Sequence, residues 1–113
     1  MEEALTKVTD SSVVIVDCLT LFVSNWLLRS EQEDQCEELL QTISQSLFRI
    51  ARSQDRTVIC VSNEVGLGIV PESDLARNFR DLLGRVNQQF AAAADEVYLI
   101  VAGVPLRIKP NSN

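Results

Sequence analysis

The sequence predicts an α/β domain of three layers built on a mostly parallel sheet. Short β-branched runs, Val13-Val14-Ile15-Val16 and Val58-Ile59-Cys60-Val61, have the unbroken apolar character of strands buried on both faces. Between them lies a long stretch with apolar residues at helical spacing, the crossover that parallel strands require. Composition agrees, since 113 residues that are 46% hydrophobic and 23% charged describe one globular domain and not a disordered chain.

The first strand closes at Asp17. From Leu19 to Arg29 the residues Leu19, Phe22, Val23, Trp26 and Leu27 keep helical spacing, and Leu21 and Leu28 add apolar surface elsewhere, so this helix is expected to be mostly buried. Ser30 to Glu38 holds five acids and no base, which favours a helix N-terminus. Leu39, Leu40, Ile43, Leu47, Ile50 and Ala51 then recur with helical period to about Gln54. The second strand ends at Ser62-Asn63-Glu64, after which Gly66, Gly68 and Pro71 break regular structure. Ser73 or Asp74 can cap a third helix with the stripe Leu75, Phe79, Leu82, Leu83, Val86 and Phe90. Val97 to Val101 reads as a third parallel strand. Gly103-Val104-Pro105 is expected to turn the chain into a short last strand, Leu106 to Lys109, where Pro105 suits an edge, and residues 110–113 read as a frayed tail.

Three parallel strands and one short one are few for a doubly wound sheet, so residues 1–113 are expected to form a single incomplete α/β domain, short of an N-terminal portion. Strands removed from one side leave apolar surface uncovered, and the isolated chain is expected to be marginal or self-associating.

Several function classes are excluded. Sixteen acidic against ten basic residues give a net charge of −6, unlike a nucleic-acid groove but compatible with a nucleotide bound through Mg²⁺. Histidine is absent, which removes the commonest general base and every Ser-His or Cys-His pair. Cys18, Cys36 and Cys60 show no C-x-x-C spacing, so a reducing cytoplasm fits, with Cys18 and Cys60 read as small buried hydrophobes and Trp26 and Phe22 as core. No stretch reaches the length of a membrane span, and no targeting segment is visible.

Two places can carry chemistry. Asp17, at the carboxyl end of a buried strand, has the form of a Walker B carboxylate facing Mg²⁺ and phosphates; equally, it can cap the following helix. Ser62 to Pro71 places the amide of Asn63 and the carboxylate of Glu64 at the end of the second strand, where open α/β sheets bind ligands. Gly66-Leu67-Gly68 is not a dinucleotide fingerprint, because the third glycine falls at Pro71, and no G-x-x-x-x-G-K-[ST] occurs anywhere. Asn25, in an apolar helix, either bonds a facing loop or looks out to water. Arg77, Asp81 and Arg85, four apart, form a ladder whose plain reading is a solvated face.

Ser12 to Lys109 resembles the bifunctional adenosylcobinamide kinase and adenosylcobinamide-phosphate guanylyltransferase family of cobalamin synthesis. The resemblance rests on VVIVDCLTLFVSNWLL, on VICVSNEVGLGIVPESDLARNFRDLLGRVNQQFAAAADEVYLIVAG, and on the closing LRIK. It implies a RecA-like fold of the P-loop type and phosphoryl transfer from a nucleoside triphosphate, ATP or GTP, to the aminopropanol hydroxyl of adenosylcobinamide. It further implies GMP transfer from GTP through a guanylylated histidine, with Mg²⁺ as cofactor and nucleotide and corrinoid as partners. By the same resemblance Asp17 contacts the nucleotide and its Mg²⁺, and Asn63, Glu64, Gly66 and Gly68 form the N-E-V-G-x-G nucleotide loop. Arg77, Arg80 and Arg85 match basic helix positions that touch substrate or a neighbouring subunit, and a homo-oligomer, a trimer, is expected.

The sequence departs from the family in lacking its N-terminal strand, its glycine-rich phosphate loop with Lys and Ser, and the histidine that carries GMP. Alone, therefore, it is expected to catalyse neither half-reaction. The alternative is a non-catalytic remnant or association module of the same fold; a receiver-like or flavodoxin-like domain is a plainer option that the long second block disfavours.

Overall fold

The computed structural model describes residues 13–29, 33–53, 56–66, 68–69 and 72–110. Their order is β1 (Val13–Asp17), α1 (Leu19–Arg29), α2 (Glu33–Ser53), β2 (Thr57–Val61), α3 (Asp74–Ala93), β3 (Val97–Val101) and β4 (Val104–Lys109). β1 and β2 pair in parallel, with Val14 opposite Val58 and Asp17 opposite Val61, so their carboxyl ends lie side by side.

All three helices contribute to one core. Leu19 and Val23 of α1, Leu47 of α2, and Leu82, Leu83, Val86 and Phe90 of α3 are buried together. Each fully buried side chain of this kind stabilises the fold by roughly 1.5–3 kcal/mol. Val14, Val16, Val58 and Cys60 pack onto this cluster from the strands. Phe48 and Phe90 meet edge to face at 5.4 Å, joining α2 to α3.

Both ends of α3 are closed. Ser73 is its N-cap, and its hydroxyl accepts the Ala76 amide at 3.1 Å, so the cap is Ser73 and not Asp74. At the far end the Lys109 ammonium donates to the carbonyls of Ala91 and Ala92 at 2.9 and 2.8 Å, and Arg52 donates to that of Ala93 at 2.9 Å. Cations there complement the partial negative charge of the last carbonyls.

The structure corrects four expectations. First, among the described residues β1 and β2 are covered on one face only. Val13, Ile15, Ile59 and Val61 point the other way and are 41–64% exposed, so the described residues form two layers and not three. Second, β3 does not extend the parallel sheet but pairs antiparallel with β4 as a separate two-stranded sheet. The cause is local. Ala102 and Gly103, at φ 50° and 77°, make a two-residue turn whose twist suits a hairpin, so β4 begins at Val104 and Pro105 lies inside it, opposite Ile100. Third, Leu21 of α1 is 64% exposed and Asn25 is exposed, whereas the other described side chains of α1 are buried or half-buried. Fourth, Leu75 is 58% exposed, because the stripe of α3 reaches the core only from Phe79 onward. The side chains of Trp26, Leu28, Leu39 and Leu40, and the tail beyond Pro110, lie outside the described residues.

Candidate functional site

Parallel pairing brings Asp17 and the Ser62–Glu64 segment to the same edge of the β1–β2 sheet. Asp17 is exposed there, and Cys18, which follows it through a cis peptide, leads directly into α1. In the first turn of that helix, the Thr20 hydroxyl accepts the Asn63 backbone amide at 3.1 Å. From the other side the Asn87 side chain of α3 accepts the Ser62 hydroxyl at 2.6 Å and donates to the Asn63 carbonyl at 3.0 Å. Opposite roles for the two amide atoms fix which way Asn87 points.

Past Asn63 the chain turns on its own carboxylate. Glu64 Oε1 accepts the Gly66 amide at 2.7 Å. A Cβ placed on Gly66 would lie 3.0 Å from that same oxygen, and the exposed Glu64 side chain would have to give by a few tenths of an ångström to admit it. Arg80 of α3 then donates from Nη2 to the carbonyls of Gly66 at 2.7 Å and Gly68 at 3.3 Å. Asn63 and Glu64 therefore follow the strand end that lies next to Asp17, and Gly66 and Gly68 continue from there along α3 to Arg80.

The other sequence-selected residues fall elsewhere. Arg77 is exposed, pairs with Asp74 and donates to the Glu72 carbonyl at 3.1 Å. Arg85 and Asp81 are exposed further along α3. Asn25 is exposed on α1, the outcome in which its amide looks to water. Cys18 and Cys60 are half-buried free thiols, and burial pushes the Cys60 thiol up to about 11, which leaves it protonated and unreactive near neutrality. A shallow surface hollow lined by Phe48, Arg49, Arg52 and Ala93 lies where α2 leads into β2, away from Asp17 and the loop.

Sequence reasoning missed Thr20 and Asn87. Asn87 left a signal: it sits four residues after Leu83 and three before Phe90, an amide inside a buried stripe, which a helix tolerates only when a facing group satisfies it.

Residues 1–108 match the family model described as cobinamide kinase / cobinamide phosphate guanyltransferase. The chain belongs to this family. It is 44% identical over 110 residues to the bifunctional adenosylcobalamin biosynthesis protein CobU of Escherichia coli, covering 90% of this chain and 61% of the relative. It is 43% identical over 104 residues to the CobU protein of Salmonella typhimurium, covering 85% of this chain and 58% of the relative. The corresponding protein CobP of Pseudomonas aeruginosa is 36% identical over 99 residues, covering 85% and 53%. The chain thus spans between about half and three-fifths of the length of these curated relatives. Family membership implies the P-loop NTPase type of α/β fold, to which a parallel β1–β2 pair with helical crossovers conforms. Among the described residues no helix is long and apolar enough to cross a membrane.

Proposed function

We propose that the chain supplies the sheet-edge part of a nucleotide-dependent adenosylcobinamide kinase and adenosylcobinamide-phosphate guanylyltransferase. A nucleoside triphosphate, ATP or GTP, gives its terminal phosphoryl group to the aminopropanol hydroxyl of adenosylcobinamide, and GTP then gives GMP to the phosphate so formed. The observation that carries this reading is the family match over residues 1–108, which includes both strand ends that meet at the candidate site.

In this reading Asn63, Glu64, Gly66 and Gly68 form the nucleotide-facing loop. Gly66 N–H is engaged by Glu64 Oε1, so the second carboxylate oxygen of Glu64 is the one left to meet a ligand. Among the described residues no group of three or more His, Cys, Asp and Glu could hold a metal ion by itself. A lone exposed carboxylate suits Mg²⁺ all the same, because that ion binds through one or two carboxylates completed by phosphates and water. Asp17 would hold it, and when bound the ion would neutralise charge developing on the phosphates. Arg77 and Arg85, exposed on α3, are the residues offered for corrinoid or neighbouring-subunit contact in a homo-oligomer, a trimer by family resemblance.

The sequence holds no G-x-x-x-x-G-K-[ST] and no histidine, so the lysine that reaches the phosphates and the histidine that carries GMP must come from another segment. The test is to join the chain to the N-terminal segment of the Escherichia coli relative and assay both half-reactions. Mg²⁺-dependent turnover is expected, falling by about 100-fold in Asp17→Asn. A folded fusion without either activity would refute the reading, and full turnover in Asp17→Asn would remove Asp17 from the site. The same missing segments favour one other reading, an association module that keeps the fold without nucleotide binding. Micromolar GTP affinity of the isolated chain by calorimetry would count against it.

A further inference from the structure

Two side chains of α3 hold the strand-end loop, and they stand seven residues apart. Asn87 grips its beginning, through Ser62 and the Asn63 carbonyl. Arg80 grips its far part, through the carbonyls of Gly66 and Gly68. Seven residues are two helical turns, about 10.5 Å of rise, and return to nearly the same face. Both side chains therefore leave α3 along one line, and the loop is laid against it.

The helix behind them is fixed, because Leu82, Leu83 and Val86, which lie between the two grips, are fully buried. Arg80 itself is half-buried, its Nη1 is shut off from solvent with no hydrogen-bond partner, and its Nη2 is committed to the loop. A guanidinium so placed cannot offer a free nitrogen to a ligand without leaving the loop. Nη2 alone reaches both carbonyls, so a lysine ammonium in its place can keep part of the contact.

We infer that Arg80 and Asn87 are paired positioning residues, which set the backbone of Ser62, Asn63, Glu64, Gly66 and Gly68 through a two-point clasp and do not themselves touch the ligand. The inference rests on the loop being the ligand-facing one, but the clasp is a property of the chain without ligand. It is read by amide hydrogen exchange on the whole chain, in Arg80→Met, Arg80→Lys and Asn87→Ala, beside a thermal melt of each.

The expected result is local. Amides from Ser62 to Gly66 exchange about tenfold faster in Arg80→Met and Asn87→Ala, peptides covering Leu82 to Phe90 keep their protection, and the melting midpoint moves little. Arg80→Lys recovers part of the loop protection. Unchanged loop exchange would overturn the inference. So would a rise spread evenly over the chain, which would make both residues ordinary stabilisers. Should Asn87→Ala fail to fold, Arg80→Lys against Arg80→Met still decides the matter. Because no nucleotide is needed, loop loosening together with an inactive fusion would refute the proposed activity and keep the clasp; an active fusion with undisturbed loop exchange would do the reverse.

Discussion

The parallel pair and the hairpin use the same kind of apolar residues and end in different surroundings. In β1 and β2 every second residue, Val14, Val16, Val58 and Cys60, packs beneath the helices. In the hairpin, Tyr98, Ile100, Val101, Val104, Leu106 and Ile108 are all exposed, and only Val97, Leu99 and Lys109 are half-buried. The helices account for the difference. α1, α2 and α3 share one core laid over the parallel pair, whereas the hairpin is joined to α3 by the Lys109 ammonium on the last carbonyls. Apolar composition marks a strand as fit for burial, and the packing of neighbours decides whether burial happens.

The comparison breaks most sharply if the cover over the pair is damaged. Leu83→Ala removes a side chain that is 0% exposed and should cost about 2–5 kcal/mol in urea denaturation, lowering protection in β1 and β2 together. Next in size is the tether of the hairpin. Lys109→Met should cost about 1–2 kcal/mol, with the loss of exchange protection concentrated in β3 and β4 and in the last turn of α3; an equal loss in β1 would show that the two regions are not separately held.

The covered face of the pair also has a signature in pH. Burial raises the Cys60 thiol to about 11, above the usual range of a free thiol, so the folded chain keeps its proton where the unfolded chain has lost it. Stability from this source is whole below about pH 9 and is lost as the pH climbs towards 11. A denaturation series across that window should fall with pH in the native chain and fall less in Cys60→Ala. The smallest effect belongs to the open hairpin: Ile100→Thr, at a position 60% exposed, should change stability by less than about 0.5 kcal/mol. A larger loss in the monomer would mean that this face is covered in solution.

Much of the fold was legible in the letters. Helix α1 and strand β3 have the bounds their periodicity predicts, Leu19–Arg29 and Val97–Val101, because a helix stripe and a β-branched run are both written in neighbouring residues. The last strand begins two residues earlier than expected, at Val104, because Gly103-Val104-Pro105 looks like the stronger breaker. The chain instead turns at Ala102-Gly103, where alanine accepts an unusual positive φ because the hairpin's pairing holds it there.

At the candidate site, Asp17, Asn63, Glu64, Gly66 and Gly68 could be selected from strand-end position and from family resemblance, since both are properties of short segments. Thr20, Arg80 and Asn87 as holders of that loop could not. Their partners are 12 to 43 positions away in the chain, and such separations leave no local pattern.

By itself, then, the sequence determined the elements, their order, the family, and which carboxylate and which glycines stand at strand ends. Each of these depends on interactions within a few residues or on long matched blocks. Tertiary structure alone decided that β3 folds back onto β4, that one face of the parallel pair stays open among the described residues, and that α3 holds the loop from behind. Those outcomes depend on which surfaces meet, and hydrophobic contact and hydrogen bonding between distant segments are settled only when the chain has packed.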